Sequence, residues 1–240
     1  MFTSKDEFTD NIDGLIQHLQ FEEQKDLFFR QLVKNCQLNN PLYILVSQHL
    51  DEVIKPSATS SKEFNYTSSI IAMYGYLESY LEKLAEEFIT NINNAKIPIT
   101  KLPQEIRERH LELSMKFLDR VAKNRTKGDV EKRATEIEVV QNLHSFLQSN
   151  EDYTLNSKAF SVHTANFRYD LIQSYFSQVG VRGIADRTLG FNMVKDELAN
   201  RRGQDASDDQ TVMKIWLESE LSDLAQLRNE IAHGAFERNI

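Results

Sequence analysis

Leu227-Arg228-Asn229-Glu230-Ile231-Ala232-His233-Gly234 closes the last periodic stretch of the chain. Ahead of it Val212, Ile215, Trp216, Leu217, Leu221, Leu224, Leu227 and Ile231 recur close to the 3.6-residue period, which predicts a final helix from about 208 to 233. Asp205-Ala206-Ser207-Asp208-Asp209 supplies its start signal, and Gly234 reads as the residue just past its end. Arg228 is always charged, and its planar fork of donors suits a phosphate. His233 can take or give a proton near neutral pH. Asn229 offers a donor and an acceptor. In an unbroken helix Arg228 and His233 project roughly 140° apart. They converge on one site only if the helix end bends or if a second subunit brings its own pair. On their own they also have a plainer reading, because a cation and a histidine near a helix C-terminus complement the macrodipole.

Taken with Asp223-Leu224, the whole string resembles the signature of the HEPN superfamily, the higher eukaryote and prokaryote nucleotide-binding domains, in its prokaryotic RiboL-PSP-HEPN-like branch. That signature has an arginine, usually followed by a polar residue, and then a histidine a turn or more further on. Two other stretches fit the same branch. One is Ser68-Ser69-Ile70-Ile71-Ala72-Met73-Tyr74-Gly75-Tyr76-Leu77-Glu78, an opening helix. The other is His163-Thr164-Ala165-Asn166-Phe167-Arg168, leading to Val179-Gly180-Val181. The resemblance covers roughly Phe64 to Ile240. It implies an all-α helical bundle and a metal-independent endoribonuclease that pairs as a homodimer, so that two copies of the motif line one RNA cleft. It implies, further, a toxin or effector of toxin–antitoxin or antiviral defence systems, restrained or activated by a protein partner. Many members carry another helix beyond the motif, whereas this sequence ends soon after Gly234, so the shape of the cleft is an open expectation.

The chemistry so implied assigns roles residue by residue. His233 would be the general base on the ribose 2′-OH, or the acid at the leaving 5′-oxygen. Arg228 would stabilise the extra negative charge of the phosphorane-like transition state. Asn229 would orient the scissile phosphate or Arg228. Glu78 lies inside the apolar stripe of its helix, where a carboxylate is usually at an edge or paired; the alternative is that it pairs with Arg228 and orients it. Glu230 reads as solvated or structural, with support of the site as its sharper role. A rival reading is a catalytically inactive HEPN-like module that binds a protein or nucleotide partner. A third is a structural helical dimerisation protein.

Composition bounds these readings. With 240 residues, 40% hydrophobic and 27% charged, the chain has ample material for a core. Only 8 Gly and 4 Pro favour helix throughout. The single Cys36 excludes an internal disulfide and any cysteine-cluster zinc site. The six His residues lack ligand spacing, so no metal and no cofactor is expected. The start, Met1-Phe2-Thr3-Ser4-Lys5-Asp6-Glu7, lacks the basic and apolar regions of a signal peptide. No apolar run reaches the ~20 residues of a membrane span. The expectation is a soluble, cytoplasmic protein without a membrane partner. A net charge of −8 disfavours a general nucleic-acid coat. Residues 101–133 run the other way, with ten basic residues against six acidic ones. Lys123-Asn124-Arg125-Thr126-Lys127 is their densest part; Lys123, Arg125 and Lys127 form either a solvated loop or a salt-sensitive RNA contact.

Read in order, the chain predicts helices over 4–20, 22–38 and 42–54, with Gly14 weakening the first and Asn39-Asn40-Pro41 as a break. Pro56-Ser57-Ala58-Thr59-Ser60-Ser61 is the best linker, and it separates an N-terminal helical extension, 1–56, from a HEPN-like domain, 62–240. The extension would cover the domain, bind a partner, or simply pack. A long helix over 65–94 forms the spine, with Ile70, Ile71, Tyr74, Leu77, Leu81, Leu84, Ala85 and Phe88 in its stripe. Helices over 104–123 and 130–149 follow, the first with Ile106, Leu111, Leu113, Met115, Leu118 and Val121 inward. The second turns Ile137, Val140, Leu143, Phe146 and Leu147 inward. Residues 150–162 read as irregular and 163–178 as a helix with His163 and Asn166 at its start. The glycines of 180–190 read as a connection, and 191–202 as a short helix.

Overall fold

The computed structural model of the chain describes residues 3–35, 44–45, 47–48, 52, 55–124, 128–148, 152–163, 166–203 and 209–233. Among the described residues there is no strand. The helices are α1 Thr3–Asn35, α2 Lys55–Asn94, α3 Gln104–Lys123, α4 Asp129–Leu147, α5 Tyr169–Ser177, α6 Ile184–Thr188, α7 Asn192–Arg202 and α8 Gln210–Ala232. Short 3-10 turns stand at Ile99–Lys101 and Ser157–Ser161. The all-α expectation holds.

Several boundaries differ from the periodicity reading. The helices expected over 4–20 and 22–38 are one helix, and Gly14 does not interrupt it. An exposed glycine costs a helix only about 1 kcal/mol relative to alanine, which the rest of α1 absorbs. Pro56 to Ser61, read as a linker, forms the first turns of α2. Proline is tolerated there because a first-turn N–H has no intrahelical partner to lose. The break at 39–41, most of the helix expected over 42–54, and Arg125 and Lys127 lie outside the described residues.

The chain groups into two compact units whose limits fall inside α1, α2 and α8: Met1–Ser4 with Glu78–Ala225, and Lys5–Leu77 with Gln226–Ile240. A functional division of 1–56 from 62–240 is a proposal.

In the larger unit, α3 packs against α4 and against the turn Ser157–Ser161. Proline sets the start of α3, with Pro103 at its N-cap, Glu105 in the first turn, and Arg120 and Lys123 in the last, all favourable to the helix dipole. The buried face of α3 is Ile106, His110, Leu113, Ser114 and Val121. Leu111 and Met115, expected inside, are exposed. On α4 Val139, Leu143 and Phe146 are buried, while Ile137, Val140 and Leu147 are exposed. Ile106, Leu113, Val121, Leu143 and Phe146 are inside as expected, and the α3 stripe was misplaced in part because polar residues hold core positions on it. His110 and Ser114 occupy the α3 stripe, and their partner comes from a distant loop. The Asn156 backbone N–H donates to His110 Nε2 at 3.0 Å, and its amide donates to Ser114 Oγ at 2.9 Å and to the Val139 carbonyl at 3.2 Å. Asn142 Nδ2 donates to Asn156 Oδ1 at 2.8 Å. The Asn93 amide binds both the N–H and the carbonyl of Leu155, each at 2.9 Å. These bonds pin the irregular segment ahead of Ser157.

The helix expected over 163–178 begins only at Tyr169, with Arg168 extended before it. Phe167 is fully buried, and His163 is engaged elsewhere (below). Gly180 takes a left-handed φ of +79° after α5 and lies against Pro103. Gly203, at φ +61°, stops α7 in the usual left-handed cap. Further on, Leu189, Leu198 and Met213 form a cluster joined by Val194, Trp216 and Leu217, so Trp216 is part of the packing, as expected. At the N-terminus Glu87 caps α1 from another helix: its carboxylate accepts the N–H groups of Thr3 and Ser4, both at 3.0 Å, and the Ser4 hydroxyl at 2.8 Å. Burial alone would raise the Glu87 carboxyl; these bonds outweigh it and hold its pKa below the usual value.

The smaller unit joins most of α1, the N-terminal half of α2 and the end of α8. Tyr74 is its buried aromatic, at 1% exposure. Asn65 Nδ2 donates to Glu22 Oε2 at 3.4 Å. Phe21, Phe28 and Phe64 are exposed on it.

Candidate functional site

The end of α8 carries the motif. Helical hydrogen bonding runs unbroken to its last described residue, with the His233 N–H donating to the Asn229 carbonyl at 3.0 Å. The helix therefore does not bend between Arg228 and His233, and the two leave it on faces roughly 140° apart. Of the two ways to bring them onto one phosphate, a bent helix end is not what this chain adopts. His233 is exposed.

Arg228 is half-buried. Its Cζ lies over the ring of Tyr74, 5.4 Å from the centroid. Its Nη1 donates to the Asn229 Oδ1 at 3.2 Å, so the structure brings these two motif residues together. Within this unit, no carboxylate among the described residues forms an ion pair with Arg228. The guanidinium is thus held in place while keeping its charge. Glu230 accepts a hydrogen bond from Gln226 Nε2 at 2.8 Å, within the helix.

Glu78 is half-buried on α2, in the larger unit; its pairing with Arg228 is a proposal. Lys123 ends α3, is exposed, and pairs with Asp119 at 2.6 Å. That i,i+4 pair is worth only a few tenths of a kcal/mol, roughly, and does not commit the lysine.

Three placements have no counterpart in the sequence reading. Tyr74 was legible as a core residue from its spacing, but nothing in a sequence marks a ring as the floor under a particular arginine. His163, expected as a cap, instead places Nε2 2.9 Å from Glu82 Oε1 and its ring 4.3 Å from that of Phe167. Tyr175 stands edge-on nearby; burial first, then the charges of Glu82 and Glu86, push its phenol well up. His110 is the third, and burial lowers its pKa to about 4. A polar cleft of about 390 Å³ is lined by residues that include Asn93, Asn142, Asn156, Glu138 and Lys158. The amides of Asn93 and Asn156 are engaged in holding the 153–156 segment.

Among the described residues no group of three His, Cys, Asp or Glu could hold a metal ion, and no helix is long and apolar enough to cross a membrane. Compared with known proteins, residues 39–240 match the family model RiboL-PSP-HEPN. No curated protein and no solved structure matches the chain.

Proposed function

The chain belongs to the RiboL-PSP-HEPN family, and from that premise we propose that it is a metal-independent endoribonuclease acting through the Arg-x4-His motif of α8. The observation that carries the reading is the state of Arg228: half-buried, bonded to Asn229, and unneutralised within its unit. A phosphate arriving there meets a fixed charge with free donors, which stabilises transition-state charge without reorganisation. His233, exposed at the helix end, takes the proton of the ribose 2′-OH or supplies one to the leaving 5′-oxygen. The attacking 2′-oxygen forms the new P–O bond and the 5′-oxygen leaves, so the products carry 2′,3′-cyclic phosphate and 5′-hydroxyl ends.

Because Arg228 and His233 diverge on a straight helix, the working site takes one residue of the pair from each of two chains in a homodimer. Asn229 orients Arg228, and Lys123, Arg125 and Lys127 contact the RNA backbone. The resemblance to this family adds a toxin or antiviral-defence role in the cytoplasm, held in check or triggered by a protein partner.

The test is cleavage of labelled RNA in EDTA by the wild type, Arg228→Ala and His233→Ala. We expect each substitution to lower cleavage by at least about a hundredfold, and wild-type products to end in cyclic phosphate. Cleavage that survives both substitutions would sink the proposal. The divergence of the pair also favours a second reading, an inactive HEPN-like module that binds a protein or nucleotide. It predicts binding that needs Arg228 but not His233, with no cleavage by the folded dimer.

A further inference from the structure

The geometry points to Tyr74 as the residue that positions Arg228 for phosphate. This rests on the site proposed above and extends it to a residue outside the motif. Tyr74 is 1% exposed, so its ring is fixed by the packing around it. Arg228 Cζ lies over that ring at 5.4 Å from the centroid, within the ~6 Å over which a ring face attracts a cation. The way the ring holds the cation is what matters. A carboxylate at this place would neutralise the guanidinium and fill its fork of donors. The ring attracts through its quadrupole and uses no N–H group. Among the described residues only Nη1 is drawn on, by Asn229 Oδ1 at 3.2 Å. Ring and amide together fix the guanidinium in two directions and leave the remaining donors for two oxygens of a phosphate. The ring also covers one face of the cation from water, which strengthens its field at the phosphate. Tyr74 is a positioning residue: it acts on the phosphate only through Arg228.

The experiment measures affinity for a 2′-O-methyl RNA, which cannot be cleaved, by fluorescence anisotropy, alongside cleavage of ordinary RNA. The variants are Tyr74→Phe, Tyr74→Leu, Arg228→Ala and Arg228→Ala with Tyr74→Leu, each checked for helix content and thermal unfolding. Tyr74→Phe keeps the ring and should bind within about twofold of wild type. Tyr74→Leu should weaken binding about threefold to tenfold. In the Arg228→Ala background the same change should add nothing. Should Tyr74→Leu fail to fold, Tyr74→Met takes its place. A folded ringless variant that binds like wild type overturns the proposal, as does a loss that simply adds to that of Arg228→Ala. The Arg228 side-chain protons give a readout that needs no RNA. Ring current should displace them upfield in the wild type and in Tyr74→Phe, but not in Tyr74→Leu. If the wild type neither binds nor cleaves RNA, the ribonuclease reading fails by itself. The displacement then decides the placement: present, the ring holds Arg228; absent, the proposal falls.

Discussion

Burial holds His110 neutral. Its Nε2 accepts the Asn156 N–H, so the proton sits on Nδ1, which has no hydrogen-bond partner among the described residues. The ring packs edge-on against Phe146 at 4.7 Å and stacks with Phe160 at 6.1 Å, leaving nothing to solvate a second proton. In the unfolded chain this histidine titrates near 6.5; folded, its pKa is about 4. The unfolded state therefore binds a proton first as pH falls. The stability tied to keeping His110 neutral is complete above pH 6.5 and is lost progressively between 6.5 and about 4. The loss is on the order of 3 kcal/mol. His110→Gln keeps an acceptor for Asn156 and removes the titration, so urea midpoints for this variant should fall less between pH 7 and about 4.5 than those of the wild type. Parallel pH profiles would refute the account. No sequence signal revealed this residue: it is one of six scattered histidines, and its partner lies 46 positions away. Arg228, Asn229 and His233 were legible because they form a local string. Tyr74, which lies under Arg228, was legible only as core.

At the scale of elements, α3 and α8 were found almost to the residue, since proline before one and an acidic cluster before the other give local start signals. The faces of α3 and α4 were less legible. Counting apolar residues alone cannot locate a stripe that includes His110 and Ser114, because what makes them fit inside is Asn156, far away in sequence. Likewise Pro56 to Ser61 looks like a linker by composition, whereas a first turn tolerates both proline and serine. The join between α5 and α3 offers a test of packing. A Cβ on Gly180 would stand 2.9 Å from the Pro103 Cβ, with φ at +79°. Gly203 has a similar φ of +61° and nothing within 4 Å. Gly203→Ala should cost about 1 kcal/mol, for backbone alone. Gly180→Ala should cost more, about 2–3 kcal/mol, because Pro103 starts α3 and cannot yield without moving it. Equal costs in chemical unfolding would mean that the loop and the helix start are not in close contact.

For the molecule as a whole, charge sets the problem. The chain carries a net −8, yet its proposed substrate is a polyanion. Residues 101–133 are the counterweight, ten basic residues against six acidic. Many of these charges have intrahelical partners: Arg109 and Lys116 share Glu112, Lys123 holds Asp119, and Arg133 holds Glu136. Such exposed pairs are worth at most about 1 kcal/mol and open easily when a phosphate competes. A backbone contact by Lys123, Arg125 and Lys127 therefore has a thermodynamic signature of its own. Each phosphate neutralised on single-stranded RNA releases counterions and contributes about −0.7 to the slope of log affinity against log salt. Replacing all three by alanine should make that slope shallower by about 2, while Arg228→Ala should change it by about 0.7 per chain. The measurement is anisotropy of a 2′-O-methyl RNA between about 50 and 200 mM salt. The slope separates the two explanations of a weaker complex. A triple variant that weakens binding by disturbing the fold lowers affinity at every salt concentration and leaves the slope alone. One that loses three phosphate contacts binds almost like wild type at high salt and falls behind at low salt. If the slope does not move, the stretch makes no phosphate contact, and the acidic molecule meets RNA through α8 alone.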